Sequence, residues 1–232
     1  MRFDDQVVAV TGANGNLGRA LAQAALAQGA KLALLDVALG ADLATSAPGR
    51  VGLHQVNLLD AEATRACFAG IGRVDVLCNI AGGFTMGDPV HAAGDEVWTR
   101  MFDLNVRTLL NSVRAVVPGM IERKRGRIVN VGAIAGLGGG LSGQANMGAY
   151  SAAKSAVIRI TESMAAELKR KGINVNCVLP SIIDTPQNRA AMSKADPAQW
   201  VAPADLANVI LFLASEEARA VHGAALPVVN LV

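Results

Sequence analysis

The chain has 232 residues and a mass of 23.9 kDa, a size that suits one domain with a substantial hydrophobic core. Hydrophobic residues make up 52% and charged residues 17%, which excludes a disordered, collagenous or disulfide-stapled chain and favours a homo-oligomer that covers apolar surface. The formal net charge of +2 and the 3% of aromatic residues exclude a broad nucleic-acid-binding surface.

Apolar strand patterns and amphipathic helix patterns alternate along the chain. The predicted strands cover residues 6–11, 30–36, 49–56, 74–79, 126–131, 173–179 and 224–229. The predicted helices cover residues 17–28, 60–70, 95–124, 148–171 and 203–215. Seven apolar strands separated by helices indicate an α/β protein with a doubly wound, mostly parallel sheet and helices on both faces. No linker divides the pattern, so we predict a single domain over residues 1–232.

Cysteines and histidines, three of each, are scattered without the spacing of metal ligands, so no metal site is expected. Scattered cysteines in odd number are typical of reduced thiols, which favours a cytoplasmic protein. The first residues contain no apolar run of signal-peptide length, and no stretch reaches about 18 apolar residues. We therefore expect neither secretion nor contact with a membrane.

A glycine-rich turn, TGANGNLG at residues 11–18, joins the first predicted strand to the first helix. Glycines at this place permit a tight turn and let a diphosphate approach backbone amides at the helix N-terminus, although an ordinary turn is the alternative. Asp36 ends the second strand, where a carboxylate accepts hydrogen bonds from ribose hydroxyls and repels a 2′-phosphate. The pattern therefore predicts NAD, with NADH favoured over NADPH. The candidate loop contacts are Gly12, Asn14, Gly15, Asn16, Leu17 and Gly18.

Four further motifs accompany this loop. They are NIAG at 79–82, DLNV at 103–106, YSAAK at 150–154 and CVLP at 177–180, the last followed by Thr185. Jointly, and in this order, they resemble the short-chain dehydrogenase/reductase family over residues 6–229. The resemblance implies a Rossmann-type fold, an NAD(P)-binding oxidoreductase and a small-molecule substrate.

Tyr150 and Lys154 are four residues apart, so both face one side of a helix. A nearby ammonium stabilises a phenolate, so we expect Lys154 to lower the pKa of Tyr150. The resemblance implies that Tyr150 exchanges the substrate proton, Lys154 holds the nicotinamide ribose and Asn105 belongs to a proton relay. The alternative is a core tyrosine beside a solvated lysine. Further cofactor contacts implied by the resemblance are Asn57, Leu58, Asn79, Ala81, Gly82, Pro180, Ile183 and Thr185.

The chain departs from the family pattern at four positions: Asn16 replaces a glycine, Asn57 an aspartate, Ser181 a glycine, and Ala133 the catalytic serine. Because Ala133 cannot donate a hydrogen bond to a developing oxyanion, either another donor serves or the substrate needs less polarisation. The loop before Tyr150 supplies the candidate donors. The candidate substrate contacts are Ala133, Ser142, Asn146 and Met147.

The missing serine, the glycine-rich loop and the segment 184–200 resemble the dihydropteridine reductases, a subgroup that also lacks this serine. This resemblance implies a small carbonyl, alcohol or imine-type substrate, with a pterin among the candidates. Two alternatives stay open. One is a 3-oxoacyl reductase or simple ketone/alcohol dehydrogenase, and the other is a non-catalytic NAD(H)-binding sensor.

The family resemblance also implies a homodimer or homotetramer, in which the helices at 95–124 and 148–171 pair across a two-fold axis. A monomer that uses alanine only as a helix former is the alternative. The small residues expected to allow close approach are Ala152, Ala153, Ala156, Ala165 and Ala166.

Overall fold

The computed structural model describes residues 1–40, 47, 49–137 and 144–232. Seven strands in these ranges form one sheet. They are β1 (Val7–Thr11), β2 (Lys31–Asp36), β3 (Val51–Gln55), β4 (Val76–Asn79), β5 (Gly126–Val131), β6 (Ile173–Pro180) and β7 (Ala225–Val228). The α-helices of the described residues are α1 (Asn16–Ala27), α2 (Ala61–Ile71), α3 (Asp95–Phe102), α4 (Thr108–Glu122), α5 (Gly148–Leu168), α6 (Pro186–Ala191) and α7 (Pro203–Ala214).

The strand order is β3-β2-β1-β4-β5-β6-β7, and every pairing in the sheet is parallel. The chain winds outward from β1 to β3, returns to place β4 beside β1, and then winds the other way. The order therefore reverses between β1 and β4, and a cleft opens there at the carboxyl ends of the strands. The predicted doubly wound sheet is confirmed.

Two hydrophobic clusters cover the two faces of this sheet. Leu21 of α1 and Ile210 of α7 are fully buried with Leu34 on one face. Phe68 of α2 and Ile158 of α5 pack into the cluster of the other face. Because helices cover both faces of the sheet, the central strands consist of continuous runs of apolar residues. That one domain spans residues 1–232 stays a prediction.

The elements differ from the sequence prediction at two places. The predicted helix 95–124 is interrupted by a π-helical turn at Asp103–Arg107, which separates α3 from α4. The short helix α6 was not predicted, although Thr185 caps it and Pro186 occupies its first turn, and both are helix-start signals. No helix among the described residues is long and apolar enough to cross a membrane.

Candidate active site

The glycine loop at the end of β1 is built for close approach of backbone to backbone. Gly12 has a φ of +66°, and a Cβ built on it would lie 2.8 Å from the amide nitrogen of Ala81. A Cβ on Gly18 would collide with the Gly12 carbonyl oxygen. Gly15 caps α1 without any side chain that could accept from the first helical amides. These amides therefore face the cleft, in the arrangement that binds a phosphate.

Asp36 is held beside this loop at the end of β2. Its Oδ2 accepts from the amide of Asn14 at 2.9 Å, and its Oδ1 accepts from the amide of Val37 at 2.7 Å. A carboxylate has about four lone-pair sites, so it can still accept from ribose hydroxyls. The guanidinium of Arg19 donates to the Asn14 carbonyl oxygen at 3.1 Å, which stiffens the loop further.

The end of β4 is tied to β1 and β5 by buried polar groups. The hydroxyl of Thr11 accepts from the amides of Ile80 and Ala81, each at 3.1 Å. The amide group of Asn79 donates to Asn130 at 2.9 Å, and Asn79 is only 4% exposed. The Asn79 oxygen is buried and has no hydrogen-bond partner among the described residues. Asn79 thus supports the strand ends, and its contact with a cofactor stays a prediction.

Tyr150 and Lys154 lie on the first turns of α5, with the Lys154 amine 5.8 Å from the centre of the Tyr150 ring. The Lys154 amine donates to the carbonyl oxygen of Val131 at 2.9 Å, and its side chain is buried. Burial lowers the pKa of Lys154 to about 8.

The expected lowering of the Tyr150 pKa is wrong for this structure. Burial raises the pKa of Tyr150 to about 12. Burial removes the phenolate from water and so disfavours the charged form, and the Lys154 amine, which donates to Val131, does not offset this effect.

Asn105 lies in the π-helical turn and uses its side chain on the neighbouring loop. Its Oδ1 accepts from the Gly83 amide at 3.2 Å, and its Nδ2 donates to the carbonyl oxygens of Gly83 and Met101, each at 2.9 Å. A Cβ built on Gly82 would lie 2.7 Å from Asn105 Oδ1 and 3.5 Å from Lys154 Nζ. Because Gly82 has no side chain, there is space for the side chains of Asn105 and Lys154 to approach each other.

The predicted substrate contacts are only partly brought together. Asn146 and Met147 line a cavity of about 80 Å³ together with residues of the segment 85–98, and Tyr150 is not among the lining residues. Ala133 is buried in extended backbone and presents no hydroxyl. Ser142 lies outside the described residues. Sequence reasoning missed Phe84, whose ring meets the Tyr150 ring edge-on at 5.0 Å between centroids.

The segment after β6 faces the glycine loop from the other side of the cleft. Thr185 caps α6 through its hydroxyl, which accepts from the amide of Asn188 at 3.1 Å. Asn16 donates to the side-chain oxygen of Gln187 at 3.0 Å, which joins the loop to α6. Ser181 donates its amide and hydroxyl to the β7 end instead of facing the cleft.

Four further predicted cofactor contacts lie near the ends of β3 and β6. Ile183 pairs with Val201 in an isolated bridge, and Pro180 is the last residue of β6. Asn57 is exposed after β3, whereas Leu58 is buried. Pro180 and Ile183 therefore flank the cleft, and their cofactor contacts stay predictions. No group of three histidine, cysteine, aspartate or glutamate side chains in the described part of the chain could hold a metal ion.

Fold and site together define a dinucleotide-dependent oxidoreductase: a doubly wound sheet, a glycine loop at its switch point and a tyrosine–lysine pair at the strand ends. A family model described as short chain dehydrogenase matches residues 6–196, and the chain belongs to this family.

Curated relatives match over nearly their whole length. The 2-(S)-hydroxypropyl-CoM dehydrogenase 3 of Xanthobacter autotrophicus is 34% identical, with 98% of this chain and 96% of the relative covered. The 3-oxoacyl-[acyl-carrier-protein] reductase of Escherichia coli is 30% identical, with 98% and 97% covered.

Solved structures agree with the fold and include NAD complexes. A 3-oxoacyl-[acyl-carrier protein] reductase from Brucella melitensis with bound NAD superposes with a TM-score of 0.87 at 30% identity, covering 99% of this chain and 91% of that chain. Carveol dehydrogenase from Mycobacterium avium in complex with NAD gives 0.86 at 30% identity, covering 98% and 97%.

Proposed function

We propose that this oxidoreductase interconverts a small carbonyl, alcohol or imine-type compound with its reduced or oxidised partner, using NAD(H) and Tyr150 as the acid–base group. The observation that carries the proposal is the convergence of Lys154 and Asn105 on the side-chain-free Gly82 at the carboxyl end of β4, with the Tyr150 ring 5.8 Å from the Lys154 amine. The resemblance to dihydropteridine reductases stays a prediction.

The residues present fit a dinucleotide. A Cβ at Gly12, Gly18 or Gly82 would collide with neighbouring atoms, so only glycine fits at these positions. The absence of side chains lets a ligand come close to the backbone of the cleft. The uncapped amides of α1 would hold the diphosphate, and Asp36 would accept from ribose hydroxyls. When bound, the nicotinamide supplies or accepts the hydride.

The chain's own groups handle the proton. A Tyr150 pKa of about 12 keeps the proton on the phenolic oxygen, so the hydroxyl begins reduction as a donor. Lys154 uses one of its donors on Val131, and an ammonium has three, so donors remain for a ribose or the tyrosine oxygen. Ala133 supplies no oxyanion donor, so polarisation of the substrate rests on Tyr150 and the loop before it.

NADH is preferred over NADPH in this proposal. Asp36 would meet the 2′-phosphate of NADPH with like charge. The Arg19 guanidinium donates to the carbonyl and side-chain oxygens of Asn14, which are neutral and leave its charge in place, so the preference rests on Asp36.

Replacing Tyr150 with phenylalanine tests the proposal. The variant should lose turnover with a panel of ketones, quinones and quinonoid dihydropterin, while its NADH affinity, measured by fluorescence titration, stays within about threefold. If it kept more than about a tenth of wild-type kcat, less than about 1.4 kcal/mol would depend on the hydroxyl and the assignment would fail. Wild-type protein that binds NADH without turning over any member of the panel would instead be the sensor.

The second candidate is a 3-oxoacyl reductase, favoured by several relatives of that name at 30–32% identity. Its substrate would be a thioester. Turnover of acetoacetyl thioesters above that of simple ketones would favour it, and the missing hydroxyl at Ala133 counts against it.

A further inference from the structure

A chain of buried hydrogen bonds crosses from β4 through β5 to α5. The side-chain amide of Asn79 donates to the side-chain oxygen of Asn130 at 2.9 Å, and the side-chain amide of Asn130 donates to the Thr161 hydroxyl at 2.9 Å. That hydroxyl donates to the carbonyl oxygen of Val157 at 2.8 Å. The side chains of the first three residues are buried, at 4%, 0% and 1% exposure, so water does not compete for these bonds.

The direction of every bond in this chain is fixed from its end on α5. A backbone carbonyl can only accept, so the Thr161 hydroxyl uses its one hydrogen on Val157 and must accept from Asn130. The Asn130 oxygen is then the group that accepts from Asn79. The same order leaves the Asn79 oxygen as the free end, and it has no partner among the described residues. Removing the Thr161 hydroxyl would therefore leave the buried amide of Asn130 without its acceptor.

The chain of bonds reaches α5 on the face that carries the lysine of the site. Thr161 follows Lys154 by seven residues, which is two helical turns and the same face of the helix. The Lys154 amine donates to the carbonyl oxygen of Val131, the residue that follows Asn130 in β5. One face of α5 is thus bonded to two consecutive residues of β5, at two buried points.

Apolar packing by itself would not fix how far α5 lies along the sheet, because the hydrophobic effect is non-directional. Hydrogen bonds have a narrow range of length and angle, so the two bonded points define the position and rotation of the helix. Tyr150 lies one turn before Lys154 on the same helix and is placed by the same contacts. The apolar residues of α5 that pack into the core around these points are Ala153, Val157, Ile158 and Ala165.

From these bonds we propose that Thr161 and Asn130 are positioning residues, which hold α5 at the height that places Lys154 and Tyr150 at the cleft. Both are buried, and they act on the site through α5 and the end of β5. The proposal rests on the function proposed for Tyr150. Loss of the Thr161 hydroxyl should slow the step in which the proton moves more than it weakens the binding of NADH.

Thr161→Val tests the proposal, because it removes the hydroxyl and keeps the shape of the side chain. With the best substrate of the ketone, quinone and dihydropterin panel, kcat should fall roughly ten- to hundredfold, since small misplacements of reacting groups have effects of this size. The affinity for NADH, from fluorescence titration, should stay within about threefold, and the solvent isotope effect on kcat should rise. Thr161→Ser keeps the hydroxyl and should retain at least about half of kcat.

Thr64→Val is the matched control. Thr64 is a buried residue of α2, and its hydroxyl donates to the carbonyl oxygen four residues earlier, at Asp60, just as that of Thr161 does at Val157. Thr64→Val should lower the melting temperature but leave kcat within about twofold of wild type. Equal losses of kcat in the two valine variants, or no loss in either, overturn the proposal. If Thr161→Val does not fold, the pair Thr161→Ala and Thr64→Ala replaces it, because alanine favours a helix.

A measurement without turnover separates this inference from the proposed function. Tyr150 is the only tyrosine of the chain, so a ¹³C label at the tyrosine Cζ gives a single resonance. Thr161→Val should move this resonance, whereas Thr161→Ser and Thr64→Val should leave it at the wild-type position. An unmoved resonance overturns the positioning role even if kcat falls. If the resonance moves but wild-type protein turns over no member of the panel, the proposed function fails and the positioning of Tyr150 by Thr161 stands.

Discussion

Burial makes the charged form of the Lys154 amine unfavourable. Its side chain is 6% exposed, and its one hydrogen bond among the described residues is to the carbonyl oxygen of Val131. A neutral acceptor compensates only part of the lost hydration of an ammonium, so the pKa falls to about 8. The charged Lys154 therefore lowers the free energy of unfolding of the protein.

This cost predicts a pH dependence of the free energy of unfolding. The folded pKa of Lys154 is about 8, below the ordinary 10.5, so between these values the unfolded chain holds a proton that the folded chain has released. The contribution of Lys154 to the free energy of unfolding therefore rises with pH across this window. Relative to Lys154→Met, the wild type should gain on the order of 2 kcal/mol between pH 7.5 and pH 10 in urea unfolding. A constant difference between the two proteins would contradict the shifted pKa.

Asp36 carries the second residue-scale prediction, which concerns cofactor choice. Asp36→Ala should weaken the binding of NADH, because acceptors for the ribose hydroxyls are lost. It should strengthen the binding of NADPH, because a charge of the same sign as the 2′-phosphate is removed. The ratio of kcat/KM with NADH to kcat/KM with NADPH should fall at least about tenfold, an effect of about 1.4 kcal/mol. Wild-type protein that uses NADPH as well as NADH would refute the preference. Asp60→Ala, which removes an aspartate that caps α2 instead, should leave the ratio unchanged.

At the scale of elements, the π-helical turn at 103–107 couples the helix of the second face to the loop after β4. A turn with one extra residue rotates Asn105 so that its amide reaches Gly83, while it still bonds to Met101 one turn back. The loop at 80–83, which closes against Gly12, is thereby fastened to the helical layer.

An isosteric change at this turn should be costly. Asn105→Asp replaces two hydrogen-bond donations with a carboxylate that faces the carbonyl oxygens of Gly83 and Met101, so we expect a loss of about 2 kcal/mol or more. Asn57→Asp is the control, because Asn57 is exposed and its role as acceptor from Leu59 is kept. It should change stability by less than about 0.5 kcal/mol. Equal melting temperatures for the two variants would rule out this coupling.

For the whole molecule, the oligomeric state stays a prediction. Two of the alanines expected to contact a second copy cannot do so. Ala153 and Ala165 are buried against the sheet, at 0% and 3% exposure. Ala166 is exposed on α5, and Ala152 and Ala156 are partly exposed. The surface open to a second copy is thus narrower than the stripe of small residues.

Sedimentation velocity tests this surface. Wild-type protein should sediment with two or four times the 23.9 kDa chain mass. Ala166→Arg should give single chains, because a long charged side chain prevents close approach of two helices. Ala69→Arg, at an exposed position of α2, is the control and should not change the mass. A wild type that sediments as a single chain would contradict the prediction.

The sequence alone was sufficient for the sheet and for the chemical class. Seven apolar runs separated by helical periods specify a covered parallel sheet, because strands buried on both faces leave a strong local signal. The glycine loop and the Tyr150–Lys154 spacing are local as well, since a tight turn and one helical turn each involve few residues.

The tertiary structure decided what depends on residues far apart in the chain. Burial by distant elements set the direction of the Tyr150 pKa, against the expectation from its near neighbour Lys154. The contact of Phe84 with Tyr150 and that of Asn16 with Gln187 join segments separated by 66 and 171 residues, so no local pattern announces them. The π-helical turn was equally invisible, because its cause is the partner that Asn105 finds in the loop at Gly83 rather than the propensity of the helix itself.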